Sequence, residues 1–319
     1  MQALYLYLGK IAGPLTVYSL WFLLLMVYSF LGWCCEMVYC SLCEGHLCEK
    51  RGFLNGPVCP VYGHGALLVL IILRGGCETP LLTFLYGAVL TSVIEYITSY
   101  YMEKLFHMRW WDYSGRRFNL FGRVCLRNSA LFGAACVVLC HILAQGVMQW
   151  AVLLIRDGIG IPLALVLTIL YGGDIIVSVR SAYRIGERLV KLHAIHDELA
   201  AKLEELKAAH EQAMAAQKER VEEFVYAARQ SAAEKRAEAA EDIQAKLERI
   251  KGEQERVKES HRRLLAAVEA EAQDRMRRLY ERSGYFERRL LRSFPALHSP
   301  RHGEALKKLR EYLEDRREK

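Results

Sequence analysis

Long apolar runs, repeated through the first 180 positions and missing afterwards, constrain this chain more than any other feature. Crossing a hydrocarbon core of about 30 Å takes about 20 apolar residues of α-helix. Only segments that satisfy their own backbone polar groups can lie there. The stretches 15–42, 81–101, 129–155 and 161–179 meet the length, and 61–73 is shorter and must draw on the loop before it. Pro14 and Pro162 stand where a first helical turn accepts proline. The expected architecture is therefore all-α, a polytopic bundle of about five transmembrane helices over 1–180.

Charge marks where that solvent ends. Residues 1–180 hold 12 basic and 9 acidic side chains, against 31 and 27 in the remaining 139. The net charge of +7 is shared by both halves, so neither is the concentrated basic surface that nucleic acid requires. Met1 to Leu8 carry no basic residue, and the apolar stretch that follows is too long for a cleavable signal. Placing the N-terminus outside and the C-terminus inside puts 12 Lys and Arg of the flanking loops in the cytosol and leaves Lys10, Arg74 and Arg156 outside. The bias of basic residues toward the cytosol selects that orientation.

Three acids interrupt the apolar runs: Glu36, Glu95 and Asp174. A carboxylate facing lipid costs several kcal/mol, so such residues turn toward a bundle interior or a wet cavity. With the N-terminus outside, each lies roughly 8–9 Å from the cytosolic end of its helix at 1.5 Å per residue. His64 falls near that level. A polar layer is expected there, serving either as a proton, ion or substrate pathway or as a hydrogen-bonded joint between helices.

Two loops have unusual chemistry. In 51–63, Gly52, Gly56 and Gly63 alternate with Pro57 and Pro60, among Phe53, Leu54, Asn55, Val58, Val61 and Tyr62. Apolar yet irregular, this reads as a re-entrant or tightly packed segment. In 103–128, Arg109, Trp110, Trp111, Asp112 and Tyr113 precede a cluster of arginines. The aromatic side chains suit the headgroup layer and the arginines anionic lipid; a gate or docking surface is the sharper alternative. Cys40, Cys43, His46 and Cys48 offer zinc-type donors, but their spacing matches no common module, and no metal or other cofactor is expected. The remaining cysteines of the apolar runs behave as small hydrophobes.

These motifs carry a resemblance. Phe30-Leu-Gly-Trp33 with Glu36 and Tyr39, Arg51 to Pro57, Cys59 to Gly63, Glu95-Tyr96, Glu103 to Phe106, Arg109 to Ser114, Phe118-Asn119 and Gly122-Arg123 resemble the type IV ABC-transporter permease family of bacterial membrane proteins. The similarity covers about 18–180. It implies a multi-pass protein of the bacterial cell membrane and a role in transport. Cys34, Cys35, Cys40, Cys43 and Cys48 are not part of that pattern, and the charged tail lies outside it.

No proline occurs between Pro162 and Pro295, and the interval is rich in helix formers. Leu189, Leu192, Leu199, Leu203 and Leu206 fall at a/d positions, with His196 and His210 at a. Ile243, Leu247, Ile250, Gln254, Val257, His261, Leu264 and Val268 keep 4-3 spacing. A cytosolic coiled coil over 181–292 is expected, folded back as a hairpin or left as a lone charged helix. Leu306, Leu309 and Leu313 then mark a short amphipathic helix within 293–319. No P-loop motif is present, so an ATPase partner would be a separate protein. No catalytic triad or metalloprotease pattern points to an enzyme. Two functions remain: a permease-like subunit, or a membrane-anchored scaffold or sensor whose coiled coil recruits or oligomerises partners.

Overall fold

The computed structural model describes residues 13–44, 52–73, 77, 79–232, 238–282, 284–294 and 297–318, without the side chains of 43–44, 228–232, 238–243 and 314–318. The chain divides into two units, Met1–Leu189 with Ser283–Lys319, and Val190–Arg282.

In the first unit, α1 is Pro14–Glu44, α2 Pro60–Ile72 and α3 Pro80–Phe106. Proline opens each of them, where its missing N–H would have been unpaired anyway. A short antiparallel ribbon follows, β1 Asn119–Leu120 with β2 Val124–Cys125. Next come α4 Leu126–Val138, a π-helical turn at Leu139–Leu143, and α5 Ala144–Arg156. α6 begins at Gly160 and runs unbroken to Ala232.

Four stretches are long and apolar enough to cross a membrane: α1, α3, the continuous run Leu126–Arg156, and the start of α6. The fifth expected span, α2, has 13 residues, about 20 Å of helix, and so is shorter than a hydrocarbon core. The loop before it is folded into the same unit.

The core lies where α1 meets α2, α5 and α6. Leu23, Leu24 and Tyr28 of α1 are buried with Leu70, Met148, Ala151, Ala164 and Tyr171. Small residues set the helix spacing, as expected where burial of apolar area from water gives little drive. On α2, a Cβ at Gly63 would sit 2.8 Å from the Leu25 carbonyl of α1, and on α4 one at Gly133 would sit 2.8 Å from the Phe84 carbonyl of α3.

Two further helices complete this unit from the far end of the chain, α8 Tyr285–Ser293 and α9 Gly303–Glu318. Leu290, Leu291, Leu297, Leu306 and Leu309 are all buried. The amphipathic pattern read in 293–319 thus begins earlier, at Tyr285, because Leu290 and Leu291 already face the unit's interior.

The second unit pairs the distal part of α6 with α7, Glu238–Glu281. Glu198 meets Arg275 at 2.9 Å and His210 stacks on His261 at 4.1 Å between ring centroids. The pairing is antiparallel, since one partner number rises as the other falls. One register expectation changes: Leu264 is 51% exposed while Leu265 turns inward. Two four-residue steps therefore follow each other at Val257, His261 and Leu265, a local break in the heptad pattern.

Candidate functional site

The loop at 52–57 is held from both sides of its backbone. Asp174 of α6 takes its N–H groups: Asn55 N–H donates at 2.9 Å, the Asn55 side-chain amide at 2.6 Å and Gly56 N–H at 2.7 Å. Ser178, one turn along, donates to the same carboxylate at 3.1 Å. Arg289 of α8 takes the carbonyls, donating to Leu54 O at 2.6 Å, Phe53 O at 2.9 Å and Gly52 O at 3.1 Å. One acid and one guanidinium thus replace the ladder that an irregular buried segment lacks. Gly52 has φ +120°, a conformation reserved for glycine. A Cβ at Gly56 would lie 3.3 Å from Asp174 Oδ2. Burial pulls the Arg289 pKa down, with Asp174 acting in the opposite direction.

The other two acids of the apolar helices form a second cluster. Tyr62 of α2 donates to Glu36 Oε2 at 2.6 Å, and Cys40 Sγ lies 3.6 Å from Glu36 Oε1. Tyr113 donates to Glu95 Oε1 at 3.2 Å and accepts from Asn128 at 2.6 Å. Glu95 Oε2 is buried and has no hydrogen-bond partner among the described residues. Burial pushes the Tyr113 hydroxyl well above its ordinary value, reinforced by Glu95, Cys125 and Glu36. Glu36 and Glu95 are therefore electrostatic neighbours of one tyrosine.

The single layer expected from helix depth resolves into these two places. Glu36 and Glu95 come together, whereas Asp174 serves the loop. His64 is exposed, with Nδ1 2.8 Å from the Pro60 carbonyl of its own helix; α2 sends Tyr62 to the acids instead. Pro60 is the first residue of α2, Pro57 is exposed, and Gly63 packs on α1. His46, Cys48 and Arg51 lie outside the described residues, as does the Cys43 side chain.

The aromatic loop also departs from expectation. Trp110 is 4% exposed, enclosed by Phe53 at 5.1 Å, Phe106 at 6.1 Å and Phe294 at 4.7 Å between centroids. Trp111 donates to Arg123 O at 3.0 Å. With Tyr113 on Glu95, none of the three is spread over a headgroup surface, because each has a protein partner. Arg109 and Arg123 share Glu103 Oε2, each at 2.6 Å, and Arg123 lies over Tyr96 and Tyr100. Asp112 accepts from the Ser114 N–H and hydroxyl. Its burial would raise the carboxyl pKa, but those bonds, with Arg109 and His298, hold it below the usual range.

Several participants carried no sequence signal. Arg289 and Phe294 reach the loops from the C-terminal segment. His298 exchanges backbone hydrogen bonds with Arg109, at 2.7 and 2.9 Å. Glu287, 4% exposed, meets Arg188 at 2.5 Å; burial raises its pKa and outweighs the opposing effect of that arginine. His141, inside the π-turn, lies 3.0 Å from Thr83 on α3. A π-turn inside a helix often marks a working position.

The chain matches no curated protein and no solved structure. A family model described as "Putative ABC-transporter type IV" matches residues 23–179. The matched segment contains the 52–63 loop, both acid clusters and the aromatic loop, but neither Glu287 nor Arg289. Residues 23–179, just under half of the chain, are thus similar to this ABC-transporter-type family.

Proposed function

We propose that this protein is a permease-like subunit of the bacterial cell membrane, multi-pass, with its charged tail in the cytoplasm and an ATPase supplied by a separate chain. The single observation that carries the reading is the loop at 52–57, gripped by Asp174 and Arg289 beside the Glu36/Glu95 cluster. A static anchor has no use for a re-entrant loop next to buried acids. A pathway needs both, because irregular backbone is tolerated at membrane depth only where protein or a water-filled route satisfies it. Glu95 Oε2 lacks a competing donor, so a proton or a cation in transit would find an acceptor there. The protein then moves its cargo without covalent chemistry of its own.

The contacts of 284–310 support the tail's placement. They involve the loop before α2 and the loop after α3, which the basic-residue bias assigns to the cytosol.

The test combines isolation with substitution. The full chain, purified in mild detergent from its native host, is expected to carry an ATP-hydrolysing subunit. Glu95→Gln should lower that hydrolysis and fail in growth complementation, while Glu248→Gln on α7 leaves both intact. Absence of ATP hydrolysis together with equal tolerance of the two changes would overturn the proposal.

The second reading, a scaffold or sensor that self-associates or recruits partners through its coiled coil, is favoured by the antiparallel α6/α7 pairing. Replacing 190–282 with a short linker separates the two. A permease keeps its coupling, and a scaffold loses its assembly.

A further inference from the structure

The short ribbon after α3 presents a surface that no protein group covers among the described residues. Phe118 is 76% exposed, Leu120 56% and Phe121 74%. Arg116 and Arg117 are exposed on the approach, and Arg127 on the exit. Both phenylalanines sit in the left-handed region, at φ 53° and 54°, which bulky L residues avoid.

That uphill conformation is imposed by polar groups at the base. The Asn119 amide donates to Arg116 O at 2.7 Å, and its oxygen accepts Gly122 N–H at 2.9 Å, closing the turn on itself. Gly122, at φ +70°, leaves the space a Cβ would need beside Asp112 Oδ1. The result is a rigid tip with its rings pointing outward. It lies between the end of α3 and the start of the continuous run Leu126–Arg156, both long and apolar enough to span. Lys104, Leu105 and Leu126 beside it are exposed as well.

We infer that residues 116–121 form an interfacial wedge that inserts Phe118, Leu120 and Phe121 among lipids while Arg116 and Arg117 bind anionic headgroups. Apolar rings with adjacent guanidinium groups, at the membrane end of two spans, match the chemistry of a negatively charged leaflet. Trp110 and Trp111, earlier in the same loop, have no part in it, each being held by a protein partner.

Photo-cross-linking on the full chain tests this. p-Benzoylphenylalanine is placed at Phe118, and separately at Phe121, in vesicles of phosphatidylcholine with a minor fraction of phosphatidylglycerol. Illumination should give phospholipid adducts at both positions and none at Tyr226, an exposed residue of α6. Phosphatidylglycerol should exceed its bulk share among the adducts, by about fivefold for each arginine engaged. The double change R116Q/R117Q should return that share to the bulk value while adducts persist. Adducts to protein instead of lipid, whether to a second copy or another chain, would overturn the wedge, as would no adduct at either site. An unchanged phosphatidylglycerol share in R116Q/R117Q would overturn the headgroup assignment.

Discussion

Asp174 and Arg289 divide one backbone between them, and their chemistry cannot be exchanged. Asp174 accepts three N–H bonds from Asn55 and Gly56, so Asp174→Asn puts an amide donor against backbone donors. Charge-assisted bonds contribute about 1.5–3 kcal/mol each. Loss of the charge should therefore loosen the loop by about 3 kcal/mol, read as faster hydrogen exchange over 52–58. Arg289→Lys should cost somewhat less, since an ammonium keeps the charge and three donors but loses the planar fork that reaches all three carbonyls. Asp174 was legible as an acid within an apolar run, but its pairing with the loop was not, and Arg289 carried no signal. Asn55 and Asp174 are 119 positions apart, and Arg289 lies 235 from Leu54; helix periodicity carries no information over such separations. Glu287 adds a pH dependence. Its folded pKa is raised by burial, so its contribution is fully present below the ordinary glutamate value of about 4.3 and is lost as pH rises through the raised folded value. Docking of α8 should therefore tighten on acidification through this range, and the trend should vanish in Glu287→Gln. The distance between spin labels at Arg184 and Arg288 reports it.

Among elements, α3 and α4 show which parts of a membrane fold can be read in advance. Apolar run length finds the four long helices, while the shorter run 61–73 gives a helix of 13 residues. Glycine contacts are another matter: Gly133 and Gly65 look alike in sequence, yet only the first leaves no room for a side chain. Gly133→Leu should force α3 from α4 and cost about 1–3 kcal/mol, seen as a lower melting temperature in detergent. Gly65→Ala, with nothing within 4 Å, should be neutral or gain up to about 1 kcal/mol. The tryptophans of the aromatic loop depart from expectation for a similar reason. Tryptophan suits both an interface and a packed interior, and Phe294, the partner that decided for the interior, lies in a distant segment. Along α7 either neighbouring leucine, Leu264 or Leu265, fits a spacing rule. The break became visible only with α6 opposite.

At the level of the whole molecule, residues from both ends of the chain build the first unit, with 190–282 inserted between them. Arg188 and Glu287, close to the two junctions, are ion-paired. Closure entropy changes slowly with length. Exchanging 190–282 for a short flexible linker should then shift the stability of the first unit by no more than about 2 kcal/mol, as measured by thermal unfolding.

Arg289, Phe294, His298 and the buried leucines of α8 and α9 hold the C-terminal piece by contacts rather than by covalent continuity. A backbone cut anywhere in the insert would leave two polypeptides that co-purify. The segment could equally be supplied in trans, as a second gene product completing a split protein.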